Sequence, residues 1–239
     1  MIAVIFGIQG VGKSSVVKGV MSKFVGDKTF RLLQWGEKTY EIALQKKIIR
    51  IGDYRKESNL DAIYEDIEMG TTIVKDGENM HYIYVSEEKY LANARDEIRH
   101  LDLNTQKMLQ KEVTNYIASE VQGNPNSNYL VETHSALKTL QGYLPGLTLD
   151  FMQKVKPDIY IIIEANPDDL FVRRIRDKGR KREHDKTTKD ISINLDTTRY
   201  FASTYATYTH SPLFIIENKD KLVDDTVEAI ADVLKRFEK

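Results

Sequence analysis

Residues 7–14 read Gly-Ile-Gln-Gly-Val-Gly-Lys-Ser, which is the spacing Gly7-x-x-x-x-Gly12-Lys13-Ser14. Each residue type there suits the binding of a polyphosphate. Gly7, Gly10 and Gly12 let the backbone adopt positive φ and come close to phosphate oxygens. The amides of Gly7, Ile8, Gln9, Gly10, Val11, Gly12, Lys13, Ser14 and Ser15 then point inward, and the N-terminus of the following helix adds its dipole. Lys13 is placed to bridge the β- and γ-phosphates, and the Ser14 hydroxyl to ligate Mg²⁺. An apolar run precedes the loop and a helical pattern follows it, which separates it from a glycine turn that binds nothing. The motif specifies nucleoside triphosphate binding, but not which nucleotide or which reaction.

Three further features address where the transferred phosphate goes. Glu132 closes the apolar stretch "YLVE", and in an open α/β sheet ligands gather at the carboxyl ends of strands, so this carboxylate is a candidate Mg²⁺ ligand. The segment 173–182 holds seven basic residues against one acid, Asp177, and no aromatic residue. Stacking platforms for single-stranded nucleic acid need interleaved aromatics. Arginine forks suit the spread charge of a phosphoryl-transfer transition state, so this basic segment is a candidate catalytic element beside Lys13. Arg95 and Arg99 stand at i and i+4, on one helix face, where they would grip a second phosphate. His100, His134 and His184 have no partner evident in the sequence. An acceptor that is itself a phosphate needs no general base, and the supply of arginines favours such an acceptor.

These residues need an α/β frame. "IAVIF" (2–6), 29–35, 129–133, 158–165 and 212–218 read as strands, and 14–24, 36–47, 95–121, 147–155, 166–182, 192–209 and 221–237 as helices. Strands alternating with helices predict a doubly wound, five-stranded parallel sheet. Residues 50–93 break the rhythm as an inserted substructure, where Asp76-Gly77 between β-prone runs predicts a hairpin over 73–85. The stretch 134–146 reads as a polar loop.

The chain has 239 residues, 41% hydrophobic and 30% charged, with a net charge of −1 and no cysteine. That excludes disulfides and cysteine-ligated zinc, and it gives no global field for nucleic acid or an anionic membrane. No segment approaches the roughly 20 apolar residues of a membrane span, and no basic leader is visible. The expectation is a soluble cytoplasmic protein with no membrane or nucleic-acid partner.

The strings "FGIQGVGKSS", "RDEIRHLDLNTQKMLQK", "VETHSALKTLQGYLPGL" and "KPDIYIIIEANPDDLFVRRIRD" together resemble the archaeal-type adenylate kinases. The resemblance implies ATP + AMP ⇌ 2 ADP with Mg²⁺, on a five-stranded parallel sheet closed by a lid. It places Gly7–Ser15 on the ATP phosphates and Gly36 by the AMP base. Arg95 and Arg99 fall on the AMP phosphate, Lys138 near the acceptor, and Arg174, Arg180 and Arg182 in the lid, residues 173–190. It also implies a homo-oligomer, often a trimer, of a single kinase domain spanning 1–239. Three departures stand out. Glu132 replaces the family's Asp, so that metal contact either becomes direct or is lost. Glu37 replaces a Thr, and a buried charge there would need a partner. The 50–93 insertion lies in the acceptor-binding region. The rival readings are a kinase for another nucleoside monophosphate, and a regulatory or RNA-associated ATP-binding protein whose basic segment holds a phosphate backbone. In either kinase reading Lys13 is an exposed loop residue that adds little to stability.

Overall fold

In a computed structural model of the chain, residues 1–24, 30–46, 48, 71–76, 79–84, 98, 101–139, 142–176, 187–219 and 222–238 are described. The strands are β1 (Ile2–Phe6), β2 (Phe30–Gln34), β3 (Thr71–Asp76), β4 (Asn79–Tyr84), β5 (Asn128–Glu132), β6 (Ala136–Thr139), β7 (Gly142–Pro145), β8 (Ile159–Glu164) and β9 (Leu213–Glu217). The helices are α1 (Lys13–Lys23), α2 (Trp35–Gln45), α3 (Leu103–Gly123), α4 (Leu149–Val155), α5 (Pro167–Arg176), α6 (Thr188–Thr209) and α7 (Val223–Lys235).

The five expected strands form one parallel sheet in the order β2-β5-β1-β8-β9. β1, β5 and β8 are almost wholly buried, which is why they read as continuous apolar runs. Side chains alternate between the two faces. Val4, Phe6, Val131, Tyr160 and Ile162 meet α2, α3, α4 and α6, while Ala3, Ile5, Leu130, Ile161 and Ile163 meet α1 and α7. On the first face Phe6 and Tyr160 stack with ring centroids 5.8 Å apart. β1, the central strand, runs straight into the glycine loop, so the core fixes where that loop begins.

The hairpin predicted at Asp76-Gly77 is present: β3 and β4 pair antiparallel, with Asp76 opposite Asn79. Two other readings are corrected. The stretch 95–121 is not one helix. Asp102 is extended (φ −61, ψ 155), and its carboxylate accepts from the amides of Asn104 and Thr105, so it caps a new helix at Leu103. The stretch read as a polar loop contains a second hairpin, β6 with β7. The bond from Gly146 N–H to Ser135 C=O at 2.8 Å closes the base of that hairpin, and Tyr205 Oη of α6 donates to the same Ser135 carbonyl at 2.7 Å, which ties the base to the body. Among the described residues no helix is long and apolar enough to cross a membrane.

Candidate active site

Parallel pairing places Glu132 beside Ile5 on one side and beside Gln34 on the other. Register partners in a sheet point to the same face, so the Glu132 and Gln34 side chains emerge together at the carboxyl edge, next to α1. There Glu132 Oε1 accepts from Lys13 Nζ at 2.9 Å and from Ser14 Oγ at 3.1 Å, and Oε2 accepts from Gln34 Nε2 at 2.7 Å. Lys13 and Glu132 side chains are 11% and 7% exposed, so this is a buried ion pair. Lys13 is therefore not the exposed loop residue expected from the sequence. Burial pushes the Glu132 carboxyl up. The Lys13 charge and the hydrogen bonds from Gln34, Lys13 and Ser14 outweigh that and hold it below the ordinary glutamate value.

The loop turns through positive φ at Gly10 (86°) and Gly12 (85°). Side chains from three other elements hold its carbonyls. His134 Nδ1 lies 2.9 Å from Gly7 O, so this histidine does have a partner. Arg174 on α5 donates Nε and Nη2 to Gln9 O at 3.1 and 2.6 Å. Asn218, just past β9, donates Nδ2 to Val11 O at 2.7 Å. The neighbouring Arg173 donates Nη2 to Asn218 O at 3.1 Å. Two arginines of the basic segment thus face the nucleotide loop and its support.

At the end of β8, Glu164 accepts a two-pronged pair from Arg199 on α6, Nε to Oε1 at 2.7 Å and Nη2 to Oε2 at 2.5 Å. This fixes α6 against the same edge of the sheet.

The other expected site residues are distributed as follows. Gly36 and Glu37 lie in the first turn of α2, directly after Gln34. Both are exposed, so Glu37 is not a buried charge and suits the helix N-terminus. Ser15 is exposed on α1. Lys138 lies in β6 with Nζ 5.9 Å from the Tyr143 ring centroid. Arg95, Arg99, Arg180 and Arg182 lie outside the described residues, as do 177–186 of the expected lid and, apart from the two strands, most of 50–93.

Whether these groups suit Mg²⁺ can be judged from the donor set. Ser14 Oγ and Glu132 Oε1 are both hard oxygen donors, 3.1 Å apart. Two adjacent ligands of an octahedral Mg²⁺ at about 2.1 Å stand about 3 Å apart, so the pair fits one edge of that shell. Among the described residues no cluster of three or more His, Cys, Asp or Glu forms a cage.

A glycine loop after the central strand of a parallel sheet, with lysine, serine, carboxylate and arginine converging on it, defines a P-loop nucleotide-binding protein. The family profile described as an AAA domain matches residues 60–192, more than half the chain. An adenylate kinase from Methanocaldococcus jannaschii is 36% identical over 151 residues, covering 63% of this chain and 77% of that protein. One from Methanococcus vannielii is 28% identical over 235 residues, 98% of each chain. A solved shikimate kinase from Bacteroides thetaiotaomicron aligns over 98% of each chain at 13% identity with a TM-score of 0.44, a likeness too slight to bear on function. The chain belongs to that P-loop domain family and, within it, to the adenylate kinases, and is thus a nucleoside monophosphate kinase.

Proposed function

We propose that the protein transfers the γ-phosphoryl group of ATP to AMP, giving two ADP. The observation that carries this reading is the convergence of Lys13, Ser14 and Glu132 beneath the glycine loop. The loop amides from Gly7 to Ser15 bind the ATP phosphates, and Lys13 leaves Glu132 to neutralise the β- and γ-oxygens. Ser14 and Glu132 hold Mg²⁺, which, when bound, neutralises charge on the triphosphate. Gln34 keeps Oε2 of Glu132 engaged, so Oε1 is the oxygen presented to the metal side.

The AMP phosphate is the nucleophile, and no general base is needed to unmask it. Gly36, at the start of α2, lies by the AMP base. Arg95, Arg99 and Lys138 hold the acceptor phosphate. Arg180 and Arg182 spread over the transferring group, and Arg174 leaves Gln9 O to join them, as the 173–190 segment closes as a lid, which excludes water and prevents idle hydrolysis. Arg173 and Arg174 facing the loop supports this use of the basic segment over a surface patch for a phosphate backbone. The 50–93 segment belongs to the acceptor side, and the enzyme acts as a homo-oligomer, a trimer by resemblance, in the cytoplasm.

The test is a coupled assay with ATP and each of AMP, CMP, UMP and GMP. ADP formation that depends on AMP is the expected result. ATP hydrolysis indifferent to all four would overturn the proposal.

A further inference from the structure

A peptide unit is planar and trans, so the C=O of one residue and the N–H of the next point to opposite sides of the chain. Two units of the glycine loop have their carbonyls held from outside. Arg174 holds Gln9 O, and Asn218 holds Val11 O. The amides that follow, those of Gly10 and Gly12, are thereby turned to the other side of the loop, the cradle side.

Asn218 is built to do this. It is 2% exposed. Its backbone N–H donates to Glu164 O at 2.7 Å and its backbone carbonyl accepts from Arg173. Its Oδ1 accepts from Thr226 Oγ1 of α7 at 3.1 Å, which leaves Nδ2, and not Oδ1, for Val11. A Cβ placed on Gly12 would stand 2.6 Å from Asn218 Nδ2, so the loop and the amide are in direct contact.

We propose that Asn218, oriented by Thr226, is a positioning residue for ATP. It holds the Val11–Gly12 peptide so that the Gly12 amide faces the phosphates before ATP arrives. The inference rests on the reading of Gly7–Ser15 as the ATP cradle. Without Asn218 this peptide is free to rotate, and ATP must order it on binding. AMP, held by other residues, is indifferent.

The experiment is isothermal titration of ATP and of AMP, separately, into the full chain, with melting temperature recorded for each variant. Asn218→Ala is expected to raise the Kd for ATP by about tenfold, with the Kd for AMP within twofold. Thr226→Val, which removes the hydroxyl that donates to Oδ1 and also lies within reach of Leu222 O and Glu217 O, is expected to raise the Kd for ATP by about threefold. A folded Asn218→Ala that binds ATP as the parent does overturns the inference, as does one that weakens both nucleotides equally, since that is general loosening. If Asn218→Ala does not fold, Thr226→Val decides, and unchanged ATP affinity there overturns it. Parent protein that fails to bind ATP at all overturns instead the reading of the loop on which the inference rests.

Discussion

Lys13 Nζ lies 2.9 Å from Oε1 of Glu132 in a setting almost closed to water. The lysine proposed to neutralise triphosphate is thus already paired with the carboxylate proposed to hold the metal. In that proposal a phosphate would take the place of Glu132 beside Lys13, and Mg²⁺ the place of Lys13 beside Glu132, so neither side chain would be left buried and unpaired.

Lys13→Ala should therefore do two things. Turnover should fall by at least about a thousandfold, the scale of losing a group that neutralises transition-state charge. The fold should also be weakened, by about 1–3 kcal/mol, because Glu132 keeps only its neutral hydrogen bonds. Denaturant unfolding reads the second effect. Adding Glu132→Gln to Lys13→Ala should recover most of the stability and none of the activity. A Lys13→Ala protein as stable as the parent would contradict the buried pair.

Gly146 sits at the base of the β6–β7 hairpin, where its two arms come together. A Cβ there would lie 1.7 Å from His134 O and 2.9 Å from Ser135 C, both backbone atoms that cannot swing aside. Gly146→Ala should cost about 3 kcal/mol or more, lowering Tm by roughly 6–12 °C. Gly123, with nothing within 4 Å of its added Cβ, is the control, and Gly123→Ala should stay within about 1 kcal/mol of the parent. Equal effects at the two sites would mean that the two arms of the hairpin are not this close at its base.

Two tyrosines set the alkaline limit. Burial pushes both the Tyr205 and the Tyr160 hydroxyls up to about 12, from an ordinary value of 10.0. The unfolded chain releases these protons near pH 10 and the folded chain near pH 12. Folded protein thus holds more protons in between, and stability present below pH 10 is lost as pH rises towards 12. For the pair, the unfolding constant should rise about a hundredfold per pH unit in that window. Urea unfolding at pH 9, 10 and 11 measures it, with Tyr160→Phe/Tyr205→Phe as the comparison. A double variant with the same pH slope as the parent would refute the assignment.

Much of the frame was legible because the central strands are buried on both faces and read as apolar runs, and because the glycine loop has chemistry at fixed spacing. Glu132 followed from the rule that ligands gather at carboxyl ends of strands. The same rule, applied to every strand, reaches Gln34 at the end of β2, Glu164 at the end of β8 and Asn218 just after β9, all of which meet the site or its supports. What could not be read is which of these side chains turn inward, since that depends on register between strands far apart in sequence. The β6–β7 hairpin was hidden because its four-residue strands, "ALKT" and "GYLP", carry no clear alternation. The break at Asp102 was hidden because an apolar helical period continues beyond it, although an aspartate before "LNT" is a cap signal in hindsight.

The central claim is direct transfer between two nucleotides bound end to end, and it is tested by following the phosphorus atoms. ATP labelled in the γ-phosphate and unlabelled AMP are mixed with the enzyme and Mg²⁺ and sampled within the first turnovers. The account predicts label in the β-phosphate of the ADP formed from AMP, with no free phosphate. Label released as inorganic phosphate, at a rate unaffected by AMP, would contradict it.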